Sequence, residues 1–263
     1  MDIVDRNGQR NSGKGPDPFK DSKLSIARAR EHIADLRDRI LAYARSEPHT
    51  KFVEFDSEGS YELHKIKFIK PLPEDLISVT ADAINNLRQA LDLAVYVALG
   101  ATERVNPRRS KFPFAENAKA FEKDKIYKEF PAAIKPLTRS LRPYRGGNDY
   151  LWAFNDIRNK NQHRWLNPMM VACRGSSEVS QEMRSEFGVP LGKWDPVNQE
   201  VIFAIFMEGK RAEYDGTLTF AVKFGQVEVV RDRPVIEILN IWAGMIESIV
   251  SKIEQEARRL GYI

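Results

Sequence analysis

The sequence predicts an α+β fold: a core of four long helices, with a β-hairpin and a small antiparallel sheet inserted in its connections. Three observations predict it. Four stretches place apolar residues three and four positions apart, the spacing of a single helix face. Two other regions, near residues 51–70 and 168–231, carry β-prone runs, one of them alternating with the period of a strand. The second region lies between the third and fourth helices in the chain. Neither half then closes a core alone, and residues 21–263 read as one domain.

Residues 1–20, MDIVDRNGQRNSGKGPDPFK, are polar and Gly-rich and read as a flexible tail without a signal peptide's apolar segment. Asp21 or Ser22 is placed to cap a first helix reaching about Arg45, with Ile26, Ala29, Ile33, Leu36, Ile40 and Tyr43 on its inner face. KFVEFDSEGSYELHKIKFI has two β-prone runs around the turn formers Asp56, Ser57, Glu58 and Gly59, which predicts a hairpin. PLPEDL opens a second helix that ends at Gly100, with the stripe Ile77, Ala81, Ile84, Leu91, Val95 and Ala98. Short helices are expected near 117–128 and 132–141. Gly147 or Asn148 starts a third long helix through DIRNKNQHRWL, residues 156–166. After Pro168 the runs MMVAC, VIFAIFM and TLTFAVKF read as strands, with GQVEVV as a further candidate. A last helix from about Pro234 to Leu260 turns Val235, Ile238, Trp242, Ile246, Ile249, Ile253 and Leu260 inward.

Composition narrows the class. The 263 residues are 42% hydrophobic and 30% charged, an ordinary globular balance. A lone cysteine, Cys173, allows no intramolecular disulfide and predicts a reducing, cytoplasmic setting. His32, His49, His64 and His163 are scattered without zinc spacing, so no metal or other cofactor is expected. The most apolar run, LDLAVYVALGA, is too short to span a bilayer, and no membrane association is expected. Net charge is +4, but residues 101–165 hold fifteen Lys/Arg against seven Asp/Glu. Such an excess attracts phosphate or an acidic partner, and it equally describes a solvated connecting segment.

Two helices carry polar groups where a core helix carries apolar ones. Arg88 lies on the line Ile77–Ala81–Ile84–Leu91, with Asp92 four residues on. On the third helix Arg158 and Asn161 follow Leu151 and Phe154, while Asp156, Asn159 and His163 form a strip beside them. A buried arginine is costly unless paired and hydrogen-bonded. One reading is therefore a sealed network: Asp92 and Asp156 neutralise Arg88 and Arg158, and Asn86 and Asn159 satisfy leftover donors. The other is an open polar cleft in which His163 moves protons near neutral pH.

The segment R-N-K-N-Q-H, Arg158 to His163, resembles the R-x(4–6)-H motif of HEPN domains. These are bundles of four or more helices, and many are metal-independent ribonucleases of toxin–antitoxin, CRISPR-associated and anti-phage systems that work as dimers. NNLRQALDLAVYVAL, KFPF and LWAFNDIRNKNQHRWL are together similar to a group of uncharacterised bacterial proteins with an N-L-R-S-A-L-D-H-L type helix and an N-x-D-K-H-R type helix. Asn86, Arg88, Asp92, Asn159, His163 and Arg164 match that pattern, whereas Asn161 and Gln162 stand where it has D-K.

The HEPN resemblance implies RNA as substrate. His163 would act as base or acid, Arg158 with Arg88 or Arg164 would hold the phosphate, and Asn159 would orient the reacting groups. Asp92 or Asp156 would fix the histidine tautomer. It also implies a homodimer and an antitoxin or other operon partner. Two further classes stay open: a nucleic-acid-binding module without catalysis, and an interaction protein that docks through its sheet.

Overall fold

A computed structural model describes residues 17–56, 59–100, 111–159, 166–173, 194–195, 197–207, 218–225, 227–231 and 233–263. The fold is α+β, as the sequence predicts. Three long helices form its core: α1 (Lys20–Arg45), α2 (Asp75–Gly100) and α7 (Val235–Arg259), each packed on the other two. Their buried stripes are the ones the spacing predicts. Ile26, Ala29, Ile33, Leu36, Ile40 and Tyr43 are buried on α1. Ala81, Ile84, Leu91, Val95 and Ala98 are buried on α2, where Ile77 is half-buried at the margin. On α7 the inward set runs from Val235 to Ile253, with Leu260 half-buried just past the helix end. The Ser22 hydroxyl donates to the Ala90 carbonyl at 2.7 Å, a buried tie from α1 to α2.

Between α2 and α7 in the chain lie α3 (Ala118–Lys123), α4 (Lys125–Glu129), α5 (Lys135–Leu141) and α6 (Asp149–Asn159). Asn148 caps α6 by accepting from the Leu151 N–H at 3.0 Å. The third helix, expected to run long through 156–166, is described over 11 residues only, and Leu166 is in a strand. Pro168 fits that strand: it cannot continue a helix and it biases Asn167 toward extended backbone.

Two antiparallel sheets complete the fold. β1 (His49–Phe55) and β2 (Tyr61–Phe68) form the predicted hairpin. The hairpin joins β5 (Glu200–Met207) and β4 (Trp194–Asp195) in a four-stranded sheet of order β1-β2-β5-β4. Lys65 on β2 ties its neighbours together, pairing with Glu54 on β1 and with Glu200 on β5. β3 (Leu166–Cys173) pairs with β6 (Leu218–Phe224) in a second sheet, which lies beside α7. GQVEVV is corrected from strand to a 3₁₀ turn at Glu228–Val230. Its β-branched residues suggest a strand, but the three-residue spacing of Val227 and Val230 buries both through one tight turn.

Trp242 closes the core where these elements meet. It is fully buried, and its ring centroid lies 5.5 Å from those of both Phe154 on α6 and Phe224 on β6. Its indole N–H donates to the Tyr150 carbonyl at 2.9 Å.

A charged tie joins α1 to α7. The Lys23 ammonium lies 2.8 Å from Glu254 and 2.9 Å from Asp17. Burial pushes the Glu254 carboxyl up, but hydrogen bonds from Lys23 and Arg258 outweigh it and hold the group below its ordinary value. A lowered folded-state value stabilises above the unfolded pKa, and that contribution disappears as pH falls through the folded one. We expect Glu254→Gln to lower the urea midpoint at pH 7, with the gap from wild type narrowing toward pH 3. A gap that stayed constant across that range would rule this linkage out.

Candidate functional site

Arg88 is only 7% exposed, although its stripe is otherwise apolar. The fold meets the cost of burying it with three hydrogen bonds and a stacked ring. Nε donates to Asp92 Oδ2 at 3.0 Å, one helical turn on. Nη1 donates to Asn155 Oδ1 of α6 at 2.9 Å, and Nη2 to the Phe112 carbonyl at 3.0 Å. The guanidinium carbon sits 4.6 Å from the centroid of the Phe114 ring. Asp92 Oδ1 in turn accepts from the Phe112 N–H at 2.8 Å. Arg88 and Asp92 together therefore engage both backbone groups of Phe112.

KFPF suits this role for a local reason. Pro113 lacks an N–H and biases Phe112 toward extended backbone, which presents the N–H and carbonyl of Phe112 as a pair. Phe112 is buried and its ring lies 5.1 Å from that of Phe114, which carries the contact on to Phe154 at 6.5 Å. The Arg88–Asp92 half of the candidate site is thus a clamp that fastens residues 111–114 and α6 to α2.

The other predicted residues fall differently. Asn86 does not serve Arg88: its amide donates to the Asp82 carbonyl of its own helix at 2.8 Å. Asn155 takes that role. Its sequence signal was faint, a single amide between an apolar run and Asp156. Arg158 is exposed and makes no ion pair among the described residues, which corrects its expected burial. The inward arc of α6 is Leu151, Ala153, Phe154 and Ile157, and Arg158 lies on its flank. Asp156 is half-buried, and Asn159 is exposed at the last residue of α6. His163, Arg164 and Asn161 lie outside the described residues.

Arg158 reaches α2 across an open groove of about 420 Å³. Asn85, Gln89, Asp92, Leu93 and Tyr96 of α2 form most of its lining, with Arg88 at its base. The clamp is thus the floor of the groove, and Arg158 is a cation on its wall. Among the described residues, no group of three or more His, Cys, Asp or Glu side chains is placed to hold a metal ion. No helix among them is long and apolar enough to cross a membrane.

Comparison with known proteins gives no match: no family model, no curated protein and no solved structure matches the chain.

Proposed function

We propose that this chain is a cytoplasmic, HEPN-like RNA-binding protein that cleaves RNA without a metal, with the α2–α6 groove as the phosphate site. One observation carries the reading: Arg158 is exposed on the groove wall without an ion pair among the described residues, beside a floor whose own arginine donates from each of its three nitrogens to the clamp. Its planar fork suits two phosphoryl oxygens. The RNA 2′-oxygen attacks the adjacent phosphorus, the P–O5′ bond breaks, and the products are a 2′,3′-cyclic phosphate and a free 5′-hydroxyl. His163, a few residues beyond Arg158, takes the 2′-OH proton or supplies the one the leaving oxygen needs. Arg158 and Arg164 stabilise the charge growing on the phosphoryl oxygens, and Asn159 orients the scissile phosphate. One histidine per chain serves one of the two proton transfers, so a homodimer that brings two copies together supplies both. An antitoxin or other operon partner would act by covering the groove. The lone cysteine is consistent with the cytoplasm.

The test uses the full-length chain with single-stranded and structured RNA in the presence of a chelator. Wild type should leave cyclic-phosphate ends, and His163→Ala should slow cleavage by roughly 10²-fold or more. Equal background from wild type and His163→Ala would sink the catalytic claim.

A second reading is favoured by the engagement of Arg88 in the clamp. A site that shares its arginine with a structural clamp also suits a module that holds nucleic acid without cutting it. Steeply salt-dependent binding with no cleavage would select that reading.

A further inference from the structure

We infer that the groove seats one unpaired nucleotide, with its base stacked on Tyr96 and its phosphate on Arg158, so that the RNA it takes is single-stranded. This rests on the phosphate-site reading above and adds the part of the ligand that site would recognise. Tyr96 lines the groove and is 45% exposed, so part of its ring is open to solvent there. Asn85, Gln89, Leu93 and Tyr96 follow one another at helical spacing, so they form a continuous strip along one face of α2.

Each part of that strip has a chemical counterpart in a nucleotide. The Tyr96 ring, with Leu93 beside it, offers a flat apolar surface to a base face. The amides of Asn85 and Gln89 each present donors and an acceptor to a base edge. Charge then sets the direction in which the nucleotide lies. Both Asp92 oxygens are engaged, one by Arg88 and one by the Phe112 N–H, so this side chain offers a phosphate nothing to bind. The phosphate is left with Arg158 on the opposite wall. The groove volume of about 420 Å³ lies in the range of single small-ligand sites, roughly 300–1,000 Å³. A paired, stacked base in a duplex offers no free face to Tyr96, whereas an unpaired base does.

Fluorescence anisotropy with a labelled eight-nucleotide oligouridylate, and with a duplex RNA of the same length, tests this on the full-length chain. Tyr96→Ala is expected to weaken single-strand binding roughly five- to hundredfold. Tyr96→Phe should stay within about twofold of wild type, and wild type should prefer the single strand. An unchanged melting temperature of each variant shows that the loss is not unfolding. If Tyr96→Ala binds like wild type while Arg158→Ala binds weakly, the base-stacking inference is overturned and the phosphate site stands. Equal affinity of wild type for duplex and single strand also overturns it. If neither substitution changes binding, or wild type binds neither RNA, both readings fall together.

Discussion

Trp242→Ala should destabilise the folded chain by about 3–5 kcal/mol, the range for emptying a fully buried tryptophan site. Trp242 is where α6, α7 and β6 meet, and it touches Phe154 and Phe224 at 5.5 Å each. Alanine leaves a cavity between three elements that belong to different layers, so no single helix shift closes it. It also strips the Tyr150 carbonyl of its indole donor. Equilibrium urea unfolding measures the loss directly. Trp242→Phe restores most of the volume but not the N–H, so it should fall between wild type and alanine. A loss below about 1 kcal/mol for Trp242→Ala would show that this junction does not hold the layers together.

Arg88→Ala should cost about 3 kcal/mol, near the lower end for breaking a buried pair, because Asp92 keeps some access to water. The substitution removes three donated hydrogen bonds and the cation over Phe114. Asp92 is left without its counter-ion, and the Phe112 carbonyl and Asn155 amide oxygen lose their donor. For a chain of this size the melting temperature should drop by roughly 6–12 °C. Arg88→Met keeps most of the volume and should recover little, since the missing element is the planar fork. Pairing Arg88→Met with Asp92→Leu should cost less than the sum of the two single changes, because the stranded carboxylate is gone. Additive losses would show that the two side chains do not act as one clamp.

Much of this architecture was legible in the chain. The stripes of α1, α2 and α7 follow from apolar spacing alone, because each of those helices has one buried face and a long uninterrupted run. Arg88 stood out for the same reason: its place on the Ile77–Leu91 line required burial, and the structure buries it. Three features were not legible, each for a physical reason. Two of the three partners of Arg88 come from residues 24 and 67 positions away, and no local pattern encodes such pairings. The pairing of the β1–β2 hairpin with β5 is also long-range, spanning about 140 residues of chain. On α6, counting from Leu151 and Phe154 placed Arg158 inward. Ile157 takes the inward position instead, and the neighbouring arginine is turned to solvent. That rotation divides the two arginines by role. It leaves Arg88 in the clamp and Arg158 facing the groove.

The division of labour between these two arginines is the central claim, and Arg158→Ala tests it most directly. Melting temperature and oligouridylate affinity are measured on the same preparation, with Arg88→Ala alongside. Arg158 is exposed, so its loss should move the melting temperature by no more than about 1–2 °C. The lost charge-assisted contacts should weaken RNA binding roughly tenfold or more. Arg158→Ala that destabilises the fold as strongly as Arg88→Ala, or that binds RNA as wild type does, would contradict the claim.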